Sequence, residues 1–222
     1  MRWLIDCTKL TIPLQANLSP LRAPEPVDAT ISVKDNGEPL VPLAGAVKLY
    51  PVYSWLGFKH MPAVPKVRAG IKTRLQRASA LLPPDFELVV IDGYRTREFQ
   101  AELLTYYQAQ TRRGLNNFVA DPANATVVPP HATGGAVDLT LGWRGAVLGL
   151  GTDFDSFLAQ SAPAALERDS GGSARDLRRL LASVLMAEGM TVFETEWWHW
   201  SYGDQYWAAQ TGAPAAVYGE IE

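Results

Sequence analysis

A single cysteine, Cys7, stands among 222 residues, so no disulfide can form within the chain, and a reducing compartment is expected. Histidine is nearly as scarce: His60, His131 and His199 are the full set, and each needs an account. No apolar run approaches the length of a membrane span, and in MRWLIDCTKL the first apolar stretch meets Asp6 before reaching signal-peptide length. These absences make the cytoplasm the expected location. Lysine and arginine form no cluster, and a net charge of −3 lacks the basic footprint of a nucleic-acid binder. Charged residues make up 19% of the chain against 47% hydrophobic ones, which excludes a disordered protein. Nothing in the composition indicates an oligomeric state.

Proline is plentiful but uneven: nine of the sixteen fall before residue 66. Residues 1–65 therefore read as extended segments and irregular loops that wrap a core, within one domain spanning 1–222. The core itself is expected over 66–207. From Lys66, the spacing of Val67, Ile71, Leu75 and Ala78 predicts a helix that stops at Pro83-Pro84. FELVVID (86–92) predicts a buried strand, Gly93 a turn, and Thr96 the cap of a helix running to Gly114. A long polar loop follows over 115–130. GAVDLTL (135–141) predicts a strand, the stretch from Ser173 to Gly189 an amphipathic helix, and residues 191–202 a strand pair. Without a regular βαβ repeat, the expected fold class is α+β, a small mostly antiparallel sheet flanked by helices.

Two stretches carry chemistry. In ETEWWHW (194–200), Glu196 lies three residues before His199, among Trp197, Trp198 and Trp200. An acid and an imidazole in so apolar a strand require compensation, either as an ion pair that closes the core or as a site. In HATGGAVDLTL (131–141), Gly134 and Gly135 allow a tight turn that lets His131 and Asp138 converge. Two imidazoles and a carboxylate are a ligand set for catalytic zinc, with His199 as the third member. Each histidine alone also fits a hydrogen-bonded core residue, and Asp138 alone fits an arginine pair. Their joint occurrence, with Arg95 at a strand end in DGYRT, favours a site; His60, in GFKHMP, has no such company and reads as a surface or structural residue.

DGYR (92–95), HATGGAVDLTL (131–141), GTDFD (151–155) and EWWHW (196–200) occur in an order and at intervals that resemble the zinc-dependent D-alanyl-D-alanine dipeptidases, the VanX type of the D,D-peptidase superfamily. The resemblance covers roughly residues 66–207. It implies one zinc ion per chain on His131, Asp138 and His199. It also implies Glu196 as catalytic base, Arg95 as transition-state stabiliser and Asp155 as partner of the substrate ammonium. Glu194 rivals Glu196, since the two share a face of an extended strand; motif register favours Glu196. The implied substrate is a small free dipeptide. Two positions depart from the family pattern: its serine two residues before the zinc histidine is Pro129 here, and its aromatic N-terminal motif has no counterpart in residues 1–60. Two other functions remain open, a D,D-carboxypeptidase or cell-wall amidopeptidase with the same metal core, and a zinc-binding module without catalysis. Glu196 and Arg95 speak against the second, because holding zinc needs neither.

Overall fold

In the computed structural model, residues 3–14, 18–110, 126–168 and 172–221 are described. Along the chain run β1 (Ile5–Asp6), β2 (Leu40–Pro42), β3 (Lys48–Leu49), β4 (Lys66–Arg68), α1 (Ala69–Ala80), β5 (Phe86–Asp92) and α2 (Arg97–Gln110). They are followed by β6 (Ala136–Trp143), β7 (Ala146–Gly149), α3 (Ser173–Ala187), β8 (Thr191–Phe193), β9 (Glu196–Ser201) and α4 (Gln205–Thr211).

Strand β6 organises the main sheet. All of Ala136–Gly142 is buried, as expected of a strand covered on both faces. One edge of β6 pairs antiparallel with β5. Its other edge is shared: Gly142 and Trp143 pair with β7, while Ala136–Asp138 pair with β9, which in turn pairs with β8. The β6–β7 connection is a two-residue hairpin in which Arg144 (φ 47°) and Gly145 (φ 84°) are both left-handed, the geometry that a tight hairpin demands. The remaining neighbours are parallel, with β1 beside β7 and β3 beside β5. The α+β class with a mostly antiparallel sheet is therefore what the chain adopts.

Helix α3 buries Leu177, Leu180, Leu181, Val184 and Leu185, one apolar stripe at helical spacing. α1 buries Ile71, Leu75 and Ala78 in the same way. The expected helix from Lys66 begins later, at Ala69, because Lys66–Arg68 pair with β2 as strand β4. Val67 is buried opposite Val41 in that pairing, so a strand residue happened to fall in phase with the helical spacing. Thr96 does cap α2, its Oγ1 accepting the N–H of Phe99 at 3.1 Å. The expected helix end at Gly114 and most of the expected 115–130 loop lie outside the described residues.

The proline-rich segment does more than wrap. It supplies β1 and β3 to opposite edges of the sheet and buries Leu43, Val52 and Tyr53 in the same core as Trp197, Trp198 and Trp200. It also binds the far end of the chain, the N–H groups of Lys34 and Asn36 donating to the carbonyls of Ala216 and Val217. Among the described residues, no helix is long and apolar enough to cross a membrane.

Candidate metal centre and active site

Three neighbouring strands bring three of the polar residues into one row. Asp92 of β5 lies opposite Asp138 of β6, and Asp138 lies opposite His199 of β9. One irregularity makes that row, and a second lies beside it. β5 shifts register between Val90 and Asp92, and the β8–β9 pair shifts between Val192↔Trp200 and Phe193↔Glu196. Bulges of this kind re-aim side chains that strict alternation would send to opposite faces. His131 arrives from elsewhere, on a short 3-10 turn (Pro130–Thr133) that Gly134 closes at φ 70°. That left-handed φ favours glycine, and a Cβ there would also push on Leu40 Cδ2, 2.6 Å away.

The result is a tight group of donors. His131 Nε2 lies 3.1 Å from His199 Nδ1 and 3.3 Å from Asp138 Oδ2, and His199 Nδ1 lies 3.2 Å from Asp138 Oδ1. Tetrahedral zinc with ligand bonds of 2.0–2.1 Å has its ligand atoms about 3.3 Å apart, so the group has the size of such a cage. Asp138 Oδ1 is buried and, beyond the close approach of His199 Nδ1, accepts no hydrogen bond of good geometry from the described residues, an acceptor that a cation would satisfy. The imidazoles are oriented for the same task. His131 Nδ1 lies 2.7 Å from the Gly93 carbonyl, which requires the proton on Nδ1 and leaves the Nε2 lone pair toward the cage. Burial pushes the His199 imidazole down, toward the neutral form a metal ligand needs. Burial alone would raise Asp138, but His131 and Arg95 beside it hold its carboxyl well below the usual carboxylate range.

Glu196 opens β9, and its Oε2 comes within 3.9 Å of His199 Nδ1. Burial, reinforced by Asp138 and Asp155, pushes its carboxyl well above the ordinary range. Glu194 lies half-buried in the β8–β9 turn, near Tyr206 and outside the His131, Asp138 and His199 group. Arg95 is buried and held at all three nitrogens: Nε donates to Asp92 Oδ2 at 2.7 Å, Nη2 to Asp138 Oδ2 at 2.5 Å and Nη1 to Gln100 Oε1 at 3.2 Å. Burial works against its charge, yet Asp92 and its other neighbours keep it firmly protonated. Asp155 belongs to the same electrostatic neighbourhood, and burial, then Asp138, push its carboxyl up to about 7. The tryptophans wall the strand that carries Glu196 and His199. Trp197 Nε1 donates to Thr152 Oγ1 at 2.8 Å, and the Trp198 ring packs edge-on against Phe154 in the Asp155 loop.

The structure thus brings His131, Asp138, His199, Glu196, Arg95 and Asp155 into one region, and leaves His60 outside it, paired with Glu102 at 3.0 Å. Sequence reasoning missed Asp92 and Gln100, which hold Arg95, and Tyr53 and Tyr107, which hold Asp155. Asp92 had a signal, since it opens DGYR. The tyrosines had none, lying in a wrapping segment and a plain helix.

A family profile described as D-Ala-D-Ala dipeptidase, of the M15 peptidases, matches residues 67–214. A D-alanyl-D-alanine dipeptidase of Synechocystis sp. is 30% identical over 235 aligned positions, spanning 86% of this chain and 95% of that protein.

Proposed function

Since the chain belongs to the D-Ala-D-Ala dipeptidase family of peptidases, which makes it a hydrolase, we propose that it hydrolyses D-Ala-D-Ala or a similar small free dipeptide with one zinc ion held by His131, Asp138 and His199. The observation that carries this reading is the buried Oδ1 of Asp138 inside a zinc-sized group of donors, with Glu196 at its rim. When bound there, zinc would supply a Lewis acid that polarises the peptide carbonyl and acidifies a water.

The chain's own residues do the rest. Glu196 takes a proton from the attacking water as the new C–O bond forms, and returns it to the amine as the C–N bond breaks. Its place beside the cage, 3.9 Å from His199 Nδ1, puts it within reach of that water. Arg95, clamped at three nitrogens, presents a fixed positive charge where the carbonyl oxygen gains negative charge. A preorganised donor of this kind typically contributes about 2.7–4 kcal/mol. Asp155 accepts the ammonium of the free amino end, on a loop that packs against Trp197 and Trp198 through Thr152 and Phe154. The test is a panel of D,D-, L,D- and L,L-dipeptides with the zinc-loaded protein, read by release of free amino acid. Turnover of D,D-dipeptides above the others supports the reading. Turnover of N-acylated or longer peptides at equal rates favours a D,D-carboxypeptidase instead.

A further inference from the structure

The carboxylate of Asp155 is held from one side only. Tyr53 Oη donates to its Oδ2 at 2.5 Å, and Tyr107 Oη donates to that same oxygen. Oδ1 accepts no hydrogen bond from the described residues. The two phenols come from distant parts of the chain, Tyr53 from the proline-rich segment and Tyr107 from α2. Both are immobilised by packing. The Tyr53 ring sits against Phe58, Phe99 and Phe154, and the Tyr107 ring meets Phe157 edge-on at 4.9 Å. Asp155 and Phe157 both hold left-handed backbone, at φ 53° and 42°, a costly conformation for such residues that recurs at ligand clamps. The ends of their loop are tied to α3, where Arg178 donates to the carbonyls of Leu150 at 2.7 Å, Ala162 at 2.7 Å and Gln160 at 2.8 Å.

Charge supplies the second, independent observation. Asp92, Asp138, Asp155 and Glu196 lie together with Arg95 as the one cationic side chain among these described groups. That surplus of acidic over cationic side chains suits ligands that bring positive charge.

We propose that Tyr53 and Tyr107 are positioning residues that set substrate specificity: by occupying one oxygen of Asp155, they turn its other oxygen into a directed acceptor for a primary ammonium, so that peptides with an acylated amino end are rejected. The inference rests on the reading of Asp155 as the ammonium partner. Two phenols in place of water also stabilise the carboxylate as an anion, while presenting no positive charge that would compete with the ligand. An acylated terminus brings no charge and leaves the free oxygen unpaired, which is how a polar site discriminates strongly.

The experiment compares kcat and KM for D-Ala-D-Ala and N-acetyl-D-Ala-D-Ala in the zinc-loaded protein and in Tyr53→Phe, Tyr107→Phe and Asp155→Asn. Each phenylalanine keeps the ring packing and removes one oxygen, so either variant serves if the other does not fold. The expected result is a KM for the free dipeptide raised about 10–100-fold, the worth of a hydrogen bond to a charged group. kcat should be retained and the rate on the acetylated peptide unchanged, so that discrimination shrinks. Equal losses on both substrates would show a merely structural role and overturn the proposal. Unaltered discrimination in both phenylalanine variants, with discrimination lost in Asp155→Asn, would overturn the phenols alone. Unaltered discrimination in Asp155→Asn would remove the ammonium reading itself, and the proposal with it.

Discussion

Glu196 and His199 stand three apart in a strand, yet Glu196 Oε2 lies 3.9 Å from His199 Nδ1. In a regular strand, residues at that offset point to opposite faces. The irregular β8–β9 pairing, which jumps from Val192↔Trp200 to Phe193↔Glu196, leaves Trp197, Trp198 and His199 without regular partners on β8 and brings the acid back to the imidazole. The proposed base and a proposed ligand are joined by an irregularity in the sheet, among buried tryptophans.

The ligand set can be tested without activity. Protein purified without chelator should carry close to one zinc per chain by elemental analysis. His199→Ala removes one of three donors and should lose most of the metal. Full occupancy in that variant would rule out the assigned cage.

Glu196→Ala should keep its zinc and lose about 10²–10⁴-fold in kcat, the usual worth of a positioned proton-transfer group. Glu194→Ala, altered in the β8–β9 turn outside the donor group, should keep nearly all activity. The reverse order of effects would assign the base to the wrong glutamate.

Asp92→Asn should weaken the hold on Arg95, whose Nε it accepts at 2.7 Å. A hydrogen bond to a charged group is worth about 1.5–3 kcal/mol, and chemical denaturation should show a loss of that order. kcat should fall while zinc content stays near that of the unaltered protein. Unchanged kcat would mean that the position of Arg95 is immaterial to turnover.

Asp35 ties the proline-rich segment to both the site and the carboxyl end. It accepts from Arg68 Nη2 at 2.6 Å and from the Gly219 N–H at 2.6 Å, while Arg68 Nε donates to the Thr133 carbonyl beside the His131 turn. Burial tends to raise the Asp35 carboxyl, but the Gly219 and Gly37 N–H groups and Arg68 outweigh it and bring it below its ordinary value. A depressed carboxylate contributes stability above its unfolded pKa of about 3.9, and that contribution is lost as pH falls through the lower folded value. Asp35→Ala should therefore destabilise the protein by about 1 kcal/mol at pH 7, a loss kept small by its partial exposure, and by less once the pH falls below its lowered folded pKa. An equal effect at both pH values would show that its charge is not what stabilises.

The legible and illegible parts divide by the range of the signal. Strands β5 and β6 and helix α3 carry their patterns in contiguous residues, and the sheet class followed from them. The donors His131, Asp138 and His199 were legible because few residue types make such a cage and the chain has few histidines. Strand β4 was not, because Val67 suits a helix and a strand equally and only its partner Val41 decides. Tyr53 and Tyr107 were hidden for the same reason: their role exists only where a loop, a helix and a strained turn meet. The bulge that sets Asp92 opposite Asp138, and the irregular β8–β9 pairing beside Glu196, leave no mark in residue type.

The central claim is that hydrolysis of a free dipeptide depends on one ion held by His131, Asp138 and His199. Its most direct measurement is a titration of the chelator-stripped protein with zinc, following kcat/KM for D-Ala-D-Ala. The account predicts no turnover without metal and a linear rise that levels off at one zinc per chain. Full turnover in the stripped protein, or no turnover of any dipeptide at one bound zinc, would contradict it.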